Sequence, residues 1–160
     1  WRFSAGTELR HDLEAPVISD GNVYVQTKDA RLFVLDAETG KKQWVFDDIG
    51  RATHGVSPVV DDDTVYIVAG TSTESLFLVA LDRATQAVRW KRPIGVPFQY
   101  PVGDANTIYI DSGRSLYAID KSTGNEKWKL RLQNGLASPA TMIDSAMYVT
   151  GVAGNSDGLG

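Results

Sequence analysis

PVISDGNVYVQTKDARLFVLDAETGKKQW, from Pro16 to Trp44, is followed by PVVDDDTVYIVAGTSTESLFLVALDRATQAVRW from Pro58 to Trp90 and by PVGDANTIYIDSGRSLYAIDKSTGNEKW from Pro101 to Trp128. A fourth copy opens at Pro139 and passes Tyr148 without reaching a tryptophan. The landmarks recur in one order: Tyr24, Tyr66, Tyr109 and Tyr148 after the prolines, and Trp44, Trp90 and Trp128 at the ends, with Trp1 ahead of the first copy. A period of about 40 residues with strand-like composition marks an array of stacked units, none of which can bury its apolar face alone.

Each copy reads as four short strands. After Pro16 comes Val17-Ile18, then Asp20-Gly21-Asn22, then Val23-Tyr24-Val25, and two strands around an Asp-Gly turn make a hairpin. Leu32 to Leu35 forms the third run and Gln43 to Phe46 the fourth. Four strands per repeat is the blade of a β-propeller. The sequence therefore predicts an all-β fold of four-stranded antiparallel blades, at 15–46, 57–92 and 100–131. Residues 1–5 read as the outer strand of a preceding blade and 137–150 as the start of the next one.

The turn between third and fourth strands, Asp36-Ala-Glu-Thr-Gly40, has a physical reason for its residues. Asp36 and Asp120 can accept backbone N–H bonds two or three residues on, and Gly40 and Gly124 can take a positive φ at little cost. The second copy has Gln86 at the glycine position, which predicts either another turn or a strained one. Each tryptophan carries about 150 to 250 Å² of surface, so burial between blades is worth at most roughly 4 to 6 kcal/mol before entropy is subtracted. Trp44, Trp90 and Trp128 read as core, whereas Trp1 needs a neighbour to cover it.

Composition narrows the function by exclusion. The formal charge of −4 argues against nucleic-acid binding, which needs many cations on phosphates. No cysteine is present, so disulfides, thiolate-bound zinc and a thiol nucleophile are excluded. No run of 18 apolar residues occurs, which argues against direct membrane insertion. His11 and His54 stand in no metal-ligand spacing, and neither a nucleophile-elbow nor a phosphate-loop motif occurs. Asp61-Asp62-Asp63 occupies the hairpin-turn position of Asp20-Gly21-Asn22, and Asn155 to Gly158 lacks the glutamate of a calcium loop. No metal site and no catalytic residue are assigned.

The segments ahead of the prolines break the repeat. Residues 49–55 offer Arg51 and His54, and residues 93–100 offer Val96, Phe98 and Tyr100; these five are the expected partner-binding residues. The competing reading makes both segments plain connectors packed on neighbouring blades.

The phrases LFVLDAETGKKQW, LVALDRATQAVRW and LYAIDKSTGNEKW, each preceded by PVISDGNVYV, PVVDDDTVYI or PVGDANTIYI, resemble the pyrroloquinoline-quinone-like (PQQ-like) propeller repeat. The resemblance implies a ring of seven or eight blades, of which this chain supplies about three plus partial ones. Completion of that ring then falls to the remainder of a longer parent chain or to a second copy. The reading taken is the former, because the fourth unit stops before its third strand and residues 151–160 have loop composition. Repeats of this kind occur in the propeller lipoprotein of outer-membrane protein assembly, in quinoprotein dehydrogenases and in sensor domains of bacterial kinases. The first implies a non-catalytic scaffold without cofactor that binds another protein through inter-blade loops. The second implies pyrroloquinoline quinone and calcium, and the third a membrane segment outside this chain. The scaffold is the expectation, and a periplasmic or extracellular location follows from the resemblance.

Overall fold

The computed structural model describes residues 1–2, 13–48, 50, 56–72, 75–97, 100–112, 114–132, 141–143 and 146–150. Every regular element among them is a strand, and no helix among them is long and apolar enough to cross a membrane. The chain divides into two compact units, Trp1–Val96 and Pro97–Gly160.

The first unit holds two four-stranded antiparallel sheets, each in simple sequence order. One consists of β1 (Val17–Ser19), β2 (Asn22–Gln26), β3 (Leu32–Asp36) and β4 (Lys42–Phe46). The other consists of β5 (Val59–Val60), β6 (Thr64–Ser72), β7 (Ser75–Asp82) and β8 (Val88–Ile94). The second unit holds β9 (Val102–Gly103), β10 (Thr107–Ser112), β11 (Ser115–Asp120) and β12 (Glu126–Arg131) in one sheet, then the hairpin β13 (Thr141–Ile143) and β14 (Ala146–Tyr148). This is the blade architecture read from the repeats.

The middle strands are buried on both faces, which is why β2 and β3 read as nearly continuous apolar runs rather than as alternating ones. Tyr24, Leu32, Val34 and Phe46 from the first sheet share a core with Val65, Ile67, Val79 and Leu81 from the second. On the opposite face, Val23, Val25, Phe33 and Leu35 form their own cluster beside Ala37. A buried amide spans the two sheets: Gln26 Nε2 donates to the Val68 carbonyl at 2.7 Å. Such a bond fixes the height of one sheet against the other, because a slip of one residue would orphan the carbonyl.

Turns follow the residues that demand them. Asp20 and Gly21 both have positive φ, 47° and 72°, the type I′ geometry whose twist matches a hairpin. Between β3 and β4, Asp36 Oδ1 accepts from the Thr39 N–H and hydroxyl, both at 2.7 Å, and Gly40 sits at φ 69°. The Asp82 and Asp120 turns repeat this, with Thr85 N and Thr123 N donating to the carboxylate at 2.8 and 3.1 Å. Gln86 therefore adopts the glycine turn unchanged, at φ 64°. Of the two outcomes expected at that position, the strained one is found.

Past each such turn the pairing shifts by one residue: Val34 faces Trp44 but Leu35 faces Lys42, Ala80 faces Trp90 but Leu81 faces Val88, and Ala118 faces Trp128 but Ile119 faces Glu126. The residue just before each tryptophan, Gln43, Arg89 or Lys127, is thus the extra one of a β-bulge. The tryptophans are less buried than a core reading implies. Trp44 and Trp90 are half-buried, while Trp128 is 42% exposed. Trp128 packs on Tyr109, ring centroids 5.8 Å apart. Trp1, 62% exposed, docks on the first sheet: its indole N–H donates to the Ala37 carbonyl at 3.0 Å. A Cβ on Gly40 would fall 2.4 Å from the Trp1 ring, so glycine there serves the docking as well as the turn.

Candidate interaction face

A four-stranded meander has two unlike ends. The Asp turns and first hairpin turns gather at one, and the second hairpin turn and the connectors between sheets gather at the other.

At the connector end of the first unit, Thr27 to Arg31 joins β2 to β3. The Thr27 N–H donates to the Arg31 carbonyl at 2.9 Å, Ala30 N–H to the Thr27 carbonyl at 2.9 Å, and Ala30 takes φ 65°. The Thr27 hydroxyl donates to Asp29, whose other carboxylate oxygen lies 2.9 Å from Arg31 Nε. That contact is an ion pair by distance without hydrogen-bond alignment, and Arg31 Nη2 is likewise buried with no hydrogen-bond partner. The guanidinium lies over Phe33, 5.3 Å from its centroid. Gly50, the one described residue of the 49–55 segment, has φ 101°, and a Cβ there would meet the Gly70 carbonyl oxygen at 2.4 Å. Gly70 in turn leaves only 2.0 Å between such a Cβ and the Ser75 carbonyl oxygen. The two glycines let the backbone at residue 50 pass directly against the backbone of the β6–β7 hairpin, the longest of the three.

Of the five residues expected to bind a partner, Val96 is half-buried after β8 and Tyr100 is 45% exposed ahead of β9. Arg51, His54 and Phe98 lie outside the described residues, as does His11.

At the turn end the acidic residues are occupied by structure. Arg83 donates to Tyr24 Oη at 2.9 Å, Asp20 Oδ2 at 2.9 Å, and the carbonyls of Asp61 and Asp62 at 2.7 Å each. One guanidinium thereby ties the first sheet to the hairpin turn of the second. Arg89, the bulge residue, holds Asp82 at 2.7 Å, Asp63 at 2.9 Å and Thr64 Oγ1 at 2.7 Å. In the second unit Lys127 stands equivalently, 3.4 Å from Asp120 and 2.9 Å from Thr107 Oγ1. The first sheet has Gln43 there, and Asn22 Oδ1, opposite Asp36, is buried without a hydrogen-bond partner. Sequence reasoning missed Arg83 and the bulge cations, although the repeat positions Ala37, Arg83 and Lys121, and Gln43, Arg89 and Lys127, could have been compared across copies.

These contacts set the titration of the turns. The Thr85 N–H and then the Arg89 guanidinium hold the Asp82 carboxyl well below the usual range. The Ser122 hydroxyl leads the groups that lower Asp120 to about 2. Asp20 is lowered chiefly by Arg83, Asp36 by the Thr39 hydroxyl, and Asp63 by the Thr64 hydroxyl and then Arg89. Burial pushes the Tyr66 hydroxyl up to about 12. Among the described residues no group of three His, Asp or Glu side chains converges as a metal ion requires.

The chain matches the family described as "Outer membrane protein assembly factor BamB" over residues 1–100 and again over 54–130. It is 35% identical over 152 residues to the serine/threonine-protein kinase AfsK of Streptomyces griseus, covering 81% of this chain and 18% of that protein. It is 31% identical over 155 residues to a quinoprotein ethanol dehydrogenase of Pseudomonas aeruginosa, covering 80% of this chain and 24% of the relative. Among solved structures, BamB from Moraxella catarrhalis superposes with a TM-score of 0.66 at 23% identity, over 82% of this chain and 40% of that one. The chain thus spans about a quarter or less of these two curated relatives.

Proposed function

From the premise that this chain belongs to the PQQ-like propeller repeat family described by BamB, we propose that it is a non-catalytic scaffold binding another protein through its inter-blade connectors. The observation that carries the reading is that the conspicuous carboxylates of the repeats are consumed in turns. Asp20, Asp36, Asp63, Asp82, Asp104 and Asp120 all accept hydrogen bonds from their own or adjacent turns. Sequence departs from the repeat mainly in the connectors, and in propellers loops on a rigid frame carry recognition. The proposed binding residues are Arg51, His54, Val96, Phe98 and Tyr100. The proposed partner is a protein of the outer-membrane assembly kind, and the location periplasmic or extracellular. Completion of a ring by the rest of a parent chain belongs to this reading.

The test places a photo-crosslinking residue at positions 51, 54, 96, 98 and 100 in turn in the complete chain in cells. One polypeptide captured from several of these sites, and lost on Arg51→Glu or Val96→Asp with an unchanged circular-dichroism spectrum, supports the scaffold. Unchanged capture in those variants would sink it.

The 31% identity to a quinoprotein ethanol dehydrogenase favours a second reading, part of a dehydrogenase holding pyrroloquinoline quinone and calcium. A melting temperature raised by quinone plus calcium, and not by calcium alone, would put that reading ahead. The 35% identity to AfsK similarly favours a kinase sensor segment, which predicts fusion to a kinase domain in the parent gene.

A further inference from the structure

Outer strands of stacked sheets expose a row of backbone N–H and C=O groups, and proteins ordinarily blunt such edges with proline, charge or shortness. β8 carries Pro93 near its end, and β4 is followed directly by Asp47-Asp48. β12 has neither. It stands at the end of its sheet in the order β12-β11-β10-β9, and all six of its residues are exposed. Its inner side pairs with β11 in unbroken register from Trp128 opposite Ala118 to Arg131 opposite Ser115, after the bulge at Lys127. The straight run Trp128–Arg131 therefore offers about 13 Å of edge that no strand among the described residues pairs with.

The side chains along that run sort by face. Lys129 and Arg131 lie on one face, with the Lys129 ammonium held over the Tyr117 ring at 4.9 Å. Trp128 and Leu130, 42% and 47% exposed, lie on the other. Lys127 is already engaged with Asp120 and Thr107. An added strand would thus meet two cations two residues apart on one face and two apolar groups on the other, although the whole chain carries a formal charge of −4. The geometry points to β12 as a docking edge for an extended acidic peptide segment of a partner protein, with carboxylates at alternate positions and apolar residues between them. Strand addition of this kind draws affinity from main-chain bonds and specificity from alternate side chains. This surface is separate from the connectors, and loss of binding there leaves it untouched.

The probe is a fluorescein-labelled, end-blocked peptide Thr-Val-Glu-Val-Glu-Val-Thr, titrated with the complete chain by fluorescence anisotropy. The expectation is saturable binding below about 1 mM, at least about tenfold tighter than for the same peptide with lysines replacing the glutamates. Lys129→Glu with Arg131→Glu should invert that preference, which also shows that the double variant is folded. N-methylation of alternate peptide nitrogens, which keeps charge and removes pairing, should abolish binding on one of the two possible edges. Absent binding, an unaltered preference in the double variant, or equal binding of both N-methylated forms and the parent peptide would each overturn the proposal.

Discussion

Gln86 shows what one residue does when the repeat requires another. Its φ of 64° is the conformation that Gly40 and Gly124 hold at 69° and 73°, closed by the same bond from residue 86 N–H to the Asp82 carbonyl at 2.8 Å. A non-glycine residue there costs roughly 1 to 2 kcal/mol, from which the entropy advantage of an ordinary residue over glycine, about 0.5 to 1 kcal/mol, is subtracted. Gln86→Gly should therefore stabilise the chain by about 0.5 to 1 kcal/mol, read as a higher urea midpoint at unchanged slope. At this scale the sequence was legible because backbone demands name their residues: Asp to accept N–H bonds, Gly for positive φ. Ala30, at φ 65°, was not legible, since alanine carries no signal for the left-handed region and its burial in the inter-sheet core holds it there.

Strands and turns could be counted from periodicity, but the bulge before each tryptophan could not, because two residues facing one leaves no mark in composition. Its consequence is a cationic side chain aimed at the Asp turn in two sheets and a gap in the third. Gln43→Arg should fill that gap, donating to the orphaned Asn22 Oδ1 as Arg89 does to Thr64 Oγ1 at 2.7 Å. A gain of about 1 kcal/mol is expected in denaturant melts, and it should vanish in an Asn22→Ala background if that bond is its source. The edge of β12 was equally illegible: exposure of Glu126 to Arg131 depends on what stacks against the sheet, which local pattern does not record.

Across the whole chain the lowered carboxyl groups act together. For each, the folded value lies below the unfolded value of about 3.9, so its contribution is complete above that value and is lost as pH falls through the folded one. Stability should stay level down to about pH 5 and then fall steadily toward pH 2, where Asp120 titrates. Because the leading causes at Asp36, Asp82 and Asp120 are hydrogen bonds within the turns, 1 M salt should leave most of this slope intact; a slope abolished by salt would assign it to ion pairs. The fold class was readable at this scale because the copies repeat, whereas the connectors were not, since a segment seen once offers no comparison. From the turn residue at 40, 86 or 124 to the tryptophan at 44, 90 or 128 the count never varies, while the β2–β3, β6–β7 and β10–β11 ends differ freely in length. Strand parity explains the contrast: one residue gained or lost beside the bulge would turn the indole to the wrong side of its sheet. A foreign epitope should therefore be spliced into the β6–β7 tip, and the span from Asp turn to tryptophan inherited or deleted only as a whole.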